Sequence, residues 1–304
     1  MTCDAPIQAY KAGSVNPATG KRPMQFRVAG SFSGVRQMLP CGKCAGCRLD
    51  HSRVWAIRLM HEKRMHKESV FVTLTYRKED LPDVGTLVKE HLQAFHKRVH
   101  NRLVYDRGFG IRYYGVGEYG ELNKRPHYHS ILFGVRPKDA KLYSRALGEP
   151  LYTSDWLDGL WTHGDTKFGE VTFESAQYCA KYCLKKVDGK KREAGHYLVY
   201  DGDGVVHERL PEFSHMSRRP GIGATYFEKY GSEIATHDTI IVSGKEVPSI
   251  RYYDLKIDPH RLVVIKRNRS RKRWLQPFIE RGPDRRRVKE VLRIKMMKMK
   301  ERTL

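Results

Sequence analysis

Residues 111–135 contain two apolar, aromatic-rich runs, IRYYGVGEYG and HYHSILFGV, separated only by the six-residue link ELNKRP. Each run reads as a strand, and the link carries turn signals. So short a connection joins antiparallel neighbours, because a parallel pair needs a crossover of a dozen residues or more. The flanking segments extend the pattern. SVFVTLTYR (69–77) is a further strand, and GEVTFES (169–175) another. Helical spacing runs from Ser52 to His66, with Val54 and Ile57 facing inward, and from Leu87 to Leu103 through Leu92, Phe95 and Val99. Shorter helices are expected at Lys138–Leu147 and Ser154–Trp161. The fold class implied is α+β, an antiparallel sheet flanked by helices.

Domain organisation follows from composition. Residues 1–50 are irregular and carry a cysteine cluster. Residues 51–188 hold the strand and helix pattern, and 189–260 form a C-terminal part with hairpins at HYLVYDGDG and IIVSGKEVPSIRYY. Residues 261–304 form a basic tail with 17 Lys or Arg against 4 acids. The whole chain carries 57 basic and 34 acidic residues, a formal charge of +23. Such an excess repels itself unless a polyanion offsets it, which makes nucleic acid the first partner to consider and an anionic membrane surface the second. There is no apolar run of about 18 residues to span a membrane, and MTCDAPIQAYKAG has no apolar signal core. A cytosolic location is expected. Arg218 and Arg219 in MSRRPG, and Arg271, Lys272 and Arg273 in the tail, are candidate DNA contacts.

The stretch RPHYHSILFG carries the most specific chemistry. His127 and His129 lie two apart on a strand and project from one face, with Tyr128 on the other. Two imidazoles so placed are a preorganised pair of metal ligands. Glu118, on the preceding strand, comes opposite them if the two strands form a hairpin. A Glu/His/His set with open positions suits Mg²⁺ or Mn²⁺, and Zn²⁺ also fits these donors. Taken one at a time, these side chains are equally at home as half-exposed strand residues.

Downstream, QYCAKYCLKK repeats Tyr-Cys-x-Lys twice. On a helix Tyr178, Lys181, Tyr182 and Lys185 line one stripe, as packing residues or as nucleophiles with their cations. A phenol has a pKa near 10, so about one in a thousand is ionised at pH 7. Lys181 or Lys185 nearby would favour the phenolate. Attack on a DNA phosphate gives a 5′-phosphotyrosine and a free 3′-hydroxyl, exchanging one phosphodiester for another without ATP. The lack of a GxxxxGK[ST] stretch accords with that. Two tyrosines one turn apart let one cut while the other holds DNA.

Cys41, Cys44 and Cys47 are spaced Cys-x-x-Cys-x-x-Cys. With a fourth donor, His51 or Cys3, they suit structural zinc. The spacing also echoes the start of a ferredoxin run, with His51 where its fourth cysteine would fall, and three reduced thiols in a tight loop remain an alternative. Cys179 and Cys183 read as small buried hydrophobes.

The order FVTLTY, GEYG, RPHYHSILFG, YCAKYCLKK resembles the HUH replication-initiation endonucleases. More narrowly, it is similar to the replication initiators of gokushovirus-like microviruses, small circular single-stranded DNA phages. CGKCAGCRLDHSRVWAIRLMHE and PEFSHMSRRPGIG resemble that group too, so the likeness covers residues 41 to 223 and reaches RYYD at 251–254. The resemblance implies a sheet with the histidine pair on a central strand. It implies metal ligation by His127 and His129, with Glu118 at the acidic ligand's place, and paired nucleophiles Tyr178 and Tyr182 beside Lys181 and Lys185. Tyr128 departs from the aliphatic residue usual between the histidines. The implied job is to nick the plus strand at the phage origin, prime rolling-circle synthesis and rejoin the released circle. Host helicase and polymerase would be partners, in the host cytoplasm. The same chemistry would serve a plasmid initiator or a transposase. A basic packaging or single-strand-binding protein would need none of it.

Overall fold

The computed structural model describes residues 3–18, 20–145, 149–182, 194–274 and 282–301. It divides into two units, Ser52–Asn268 and Met1–His51 with Arg269–Leu304. In the smaller unit, β1 (Ile7–Lys11) pairs antiparallel with β2 (Met24–Gln25) on one side and β3 (Gln37–Leu39) on the other. The irregular segment expected from composition is therefore a small sheet. Its strands are two to five residues long, too short to leave a period-2 signature, and they pair across long sequence separations. Helix α1 (Ala45–Lys63) starts seven residues before the expected Ser52, so Cys47 lies in its first turn.

The larger unit is built on β4 (Ser69–Thr75), β5 (Arg112–Tyr119) and β6 (Pro126–Phe133). Helix α2 (Lys89–Arg107) precedes β5 and ends at Gly108, whose left-handed φ of 79° lets its N–H bond the Val104 carbonyl. After β6 come β7 (Lys141–Ser144), β8 (Leu151–Thr153), α3 (Asp155–Trp161), β9 (Thr166–Glu170) and α4 (Phe173–Tyr182). Then follow β10 (Leu198–Tyr200), β11 (Val206–Glu208), β12 (Phe213–Met216), α5 (Ala224–His237), β13 (Thr239–Val242), β14 (Lys245–Pro248), α6 (Arg251–Asp254), α7 (Pro259–Trp274) and α8 (Pro283–Glu301). The main sheet has seven strands in the order β12-β5-β6-β4-β9-β8-β7, all antiparallel, with the hairpins β10-β11 and β13-β14 apart from it. The α+β class expected from sequence is the class found.

Two local expectations fail. The helix at 138–147 is replaced by β7, which pairs with β8, while Asp139 accepts from Ser154 Oγ (2.6 Å) and Trp156 N (2.9 Å) at the start of α3. The strand at 169–175 runs instead from Thr166 to Glu170, because Thr172 and Ser175 exchange backbone and side-chain hydrogen bonds (2.9 and 3.1 Å) and open α4.

Strand alternation sorts the core onto two faces. Val70, Val72, Leu74, Tyr128 and Leu132 pack under α2 and α3 with Leu92, Phe95, Val99, Leu157 and Trp161. Tyr114, Val116, Ile131 and Phe133 pack on the other face, with Ala56 and Leu59 of α1 and Ala176 and Cys179 of α4. The outer side of α1, at Ile57, joins Tyr226, Ile234, Ile240 and Tyr253 in a third cluster. Among the described residues, no helix is long and apolar enough to cross a membrane.

Candidate functional site

The β5–β6 register sets Glu118 directly opposite His127 and Val116 opposite His129, while Thr73 of β4 faces His129 from the other side. All these side chains fall on the α1/α4 face of central strands. His127 Nε2 lies 2.7 Å and His129 Nε2 3.5 Å from the same Glu118 oxygen. One ligand atom from each of the three residues can be chosen so that all lie within 4.8 Å of one another. Glu118 and His129 are buried and His127 is half-buried.

Neighbouring groups orient these donors. His127 Nδ1 is 3.2 Å from the Arg125 carbonyl, which can only accept, so Nδ1 carries a hydrogen and Nε2 is the nitrogen that faces Glu118. Two acceptors 2.7 Å apart need a proton or a cation between them. Glu118 Oε2 is buried and has no hydrogen-bond partner among the described residues. Burial alone would push the Glu118 carboxyl up, but hydrogen bonds and charge from His127 and His129 outweigh it and hold it below the usual carboxylate range. His129 Nδ1 meets Thr73 Oγ1 at 3.1 Å, and its ring stacks on Phe71 with centroids 5.3 Å apart. Such support for one ring nitrogen is what a metal-ligating histidine needs to hold its other, coordinating nitrogen in place. Two imidazoles and a carboxylate with one oxygen to spare fit a divalent cation with open positions.

Helix α4 brings a phenol to this cluster. Ala176, Cys179 and Ala180 turn inward at helical spacing, and their small size lets the helix approach the sheet. The half-buried Tyr178 then lies at the site, its ring 5.2 Å from that of His129 and nearly perpendicular at 80°. Its edge also meets Phe71 at 6.5 Å. Lys181 is half-buried on the same helix. Tyr182 is the last residue of α4, and its side chain lies outside the described residues, as do Lys185 and Cys183.

Tyr128, the residue out of pattern, points to the opposite face. Its hydroxyl is 2.6 Å from that of Tyr76, accepts from Val88 N and donates to Val88 O, both at 2.9 Å. Val88 is the N-cap of α2, so Tyr128 ties β6 to the start of that helix. Burial pushes its phenol up to about 12.

The smaller unit gathers the cysteines. Cys3 joins Cys41, Cys44 and Cys47, one sulfur from each lying within 4.8 Å of the others, and all four are free thiols. Cys3 and not His51 completes this group. Backbone N–H groups of Asp4, Cys41, Cys44 and Cys47 donate to the sulfurs at 3.2–3.4 Å. Cys44 Sγ and Cys3 Sγ are 3.9 Å apart. A tetrahedron with Zn–S bonds of about 2.3 Å has edges of about 3.8 Å, so the spacing fits zinc. Burial tends to raise the Cys41 thiol, but N–H groups of Cys44 and Lys43 and the neighbouring thiols bring it down to about 7. Asp4 accepts from Gly46 N at 2.7 Å and pairs with Arg293 of α8.

Of the candidate DNA contacts, Arg218 and Arg219 are exposed just after β12, and Arg271 and Lys272 are exposed on α7. Arg273 lies within α7, its side chain outside the described residues. Sequence reasoning did not single out Thr73 or Phe71. Their signal was only that of ordinary strand residues, and their roles come from a register that becomes visible when β4 is laid beside β6.

The chain is similar over much of its length to known proteins. The family of replication-associated proteins that includes ORF2 matches residues 69–187, a span that contains Glu118, His127, His129, Tyr178 and Lys181. The chain is 37% identical over 261 residues to the replication-associated protein VP4 of Bdellovibrio phage phiMH2K, covering 83% of this chain and 76% of that protein. It is 32% identical over 234 residues to the replication-associated protein ORF2 of Spiroplasma virus 4, covering 74% and 69%. With the replication-associated protein ORF4 of Chlamydia phage 1 it shares 35% over 226 residues, 71% of this chain but about half (52%) of that protein. No solved structure matches. The identity to the Bdellovibrio phage protein, sustained over three quarters of its length, shows that the chain belongs to the replication-associated proteins of gokushovirus-like phages, a group of replication initiators.

Proposed function

We propose that this replication initiator is a metal-dependent DNA nickase and strand transferase acting through tyrosine. The observation that carries the reading is the Tyr178 ring lying 5.2 Å from His129, beside the Glu118/His127/His129 donors. Mg²⁺ or Mn²⁺ held by these three residues would polarise a non-bridging oxygen of the scissile phosphate and stabilise charge in the transition state. Tyr178 gives up its phenolic proton and bonds to phosphorus. The P–O3′ bond breaks, and the departing oxygen takes a proton to become a 3′-hydroxyl. Lys181, one turn along on the same stripe, favours the phenolate. Tyr182 is the second nucleophile of an alternating pair, with Lys185 as its cation. Rejoining reverses the step, with the 3′-hydroxyl attacking the phosphotyrosine.

In this reading the substrate is the plus strand at the origin of circular phage DNA, and the 3′-hydroxyl primes rolling-circle synthesis in the host cytoplasm. Host helicase and polymerase supply the motor and the synthesis. Arg218, Arg219, Arg271, Lys272 and Arg273 contact DNA phosphates. The four cysteine sulfurs hold a structural Zn²⁺ that ties residue 3 to the turn before α1.

The test is a denaturing gel of a labelled single-stranded origin oligonucleotide incubated with and without Mn²⁺. Wild type should give a metal-dependent DNA–protein adduct, and Tyr178→Phe with Tyr182→Phe should abolish it. Tight binding with no adduct on any origin oligonucleotide would overturn the reading in favour of a packaging or binding protein.

A further inference from the structure

Where α2 packs beside the start of β5, a cleft of about 470 Å³ opens, bordered by Lys97, His100, Arg112, Tyr113, Arg218 and Arg219. Among the described residues, no carboxylate lines it. Arg112 is committed to the protein, because it pairs with the buried Glu62 and donates to the Pro220 carbonyl at 2.7 Å. Lys97, Arg218 and Arg219 differ. All three are exposed, and among the described residues no carboxylate pairs with them. Three cations left uncompensated around one concavity form a site for anions, since their mutual repulsion is relieved only by bound negative charge.

The cleft's tyrosine is already engaged by protein rings. The Tyr113 ring stacks on His96 at 4.0 Å and meets His215 at 5.1 Å. Tyr113 so held, with only the small His100 ring beside it at the rim, is a poorer platform for an unstacked base than single-strand binding normally exploits. The position is informative too. Arg112 begins β5 and Glu118 lies six residues on, so the cleft sits roughly 20 Å along the strand from the candidate metal centre. Tyr113 moreover belongs to the α2 face, whereas Glu118 belongs to the other.

We propose that this cleft grips the phosphates of duplex DNA flanking the strand that is cut, away from the single-stranded segment at the metal centre. The proposal rests on DNA being the substrate, as the nicking reading holds. Phosphate contacts of this kind position the enzyme without reading sequence.

The test compares affinities for a single-stranded origin oligonucleotide and for the same strand carrying a duplex arm, by fluorescence anisotropy. Wild type should favour the arm-bearing DNA. The triple variant Lys97→Ala/Arg218→Ala/Arg219→Ala should lose about tenfold of that preference near 0.15 M salt. Its log–log salt slope should be shallower by about 2 to 3, roughly 0.9 per phosphate contact. Arg218→Lys/Arg219→Lys, which keeps the charge, should retain most of the preference. Parallel weakening on both DNAs, or no change on either, overturns the proposal. Adduct formation by wild type with Mn²⁺ is scored on the same oligonucleotides. An adduct without arm preference refutes the cleft, whereas arm preference without an adduct refutes the nicking step and leaves the cleft standing.

Discussion

Thr73→Val isolates the contribution of one supporting hydroxyl to the candidate metal centre. Valine keeps the branched shape and strand preference of threonine and removes only the oxygen 3.1 Å from His129 Nδ1. Removing the partner of a buried His129 costs the net hydrogen bond, about 1 kcal/mol, plus some desolvation. The ring does not swing free, because Phe71 stacks on it at 5.3 Å and Tyr178 abuts it at 5.2 Å. Loss of an outer-shell partner generally lowers metal affinity about 10- to 100-fold. The double aromatic restraint places Thr73→Val at the lower end, about tenfold or 1.4 kcal/mol. Titration of Mn²⁺ by isothermal calorimetry measures this directly, with Thr73→Ser as the control that restores the hydroxyl. An unchanged Mn²⁺ affinity in Thr73→Val would show that His129 is not aimed through Nδ1. Complete loss of binding with the thermal unfolding midpoint intact would show that the aromatic restraint is worth nothing.

Two further predictions concern the buried histidine and the thiol cluster. Burial pushes His61 down to about 4; its Nε2–H donates to the Ile241 carbonyl (3.1 Å) and its Nδ1 accepts from Tyr253 Oη–H (2.7 Å), so the neutral ring is fully satisfied. An unfolded histidine titrates near 6.5, so between about pH 6.5 and 4 the unfolded chain binds the extra proton and stability falls as pH drops, by up to about 3 kcal/mol. Urea unfolding from pH 7 to 4.5 should show this loss, and His61→Gln should reduce the slope by close to one proton; identical slopes would exclude His61 as a contributor. Cys3→Ser should lower bound zinc from one equivalent per chain to well below it in mass spectrometry of the native protein. Undiminished zinc in that variant, or a wild type without zinc, would remove the metal from the thiol cluster.

The sheet was legible where strand-favouring residues flank a short link. IRYYGVGEYG and HYHSILFGV are rich in aromatic and β-branched residues and joined by six residues, so an antiparallel hairpin was expected, and in that hairpin Glu118 does come opposite His127. Helix α4 was legible from the four-residue spacing of Tyr178 and Tyr182, although its beginning was not. GEVTFES contains enough β-branched character to read as strand, and the reciprocal bonds of Thr172 and Ser175 decide against it. The β2-β1-β3 sheet was illegible because Tyr10 pairs with Gln25 and Ile7 with Leu39, contacts no local window contains. The choice of Cys3 over His51 as neighbour of the other thiols is the same kind of fact. It depends on the chain returning across some forty residues, as the Cys41 N–H to Cys3 Sγ bond shows. Arg218 and Arg219 were legible as candidate DNA contacts, but the cleft they share with Lys97 was not, because Lys97 lies more than a hundred residues away and alone is an ordinary surface cation.

The two faces of β6 explain why a tyrosine can stand between the two histidines. A strand that presents both imidazoles must not rotate about its axis, and the side chains on its reverse face set that rotation. Tyr128 is fully buried there and bonds both backbone groups of Val88, while Ser130, two residues on, meets His96 of α2 at 2.7 Å. An aliphatic residue at 128 would pack against the same core but would leave the Val88 N–H and carbonyl without the tyrosine hydroxyl. The start of α2 would then be held by fewer fixed partners. The hydroxyl thus converts helix docking into a constraint on strand orientation. The same strand that is polar toward the candidate metal centre is anchored by polar contacts on its back. His127 and His129 owe their common direction to alternation, and the fixity of that direction to residues 128 and 130.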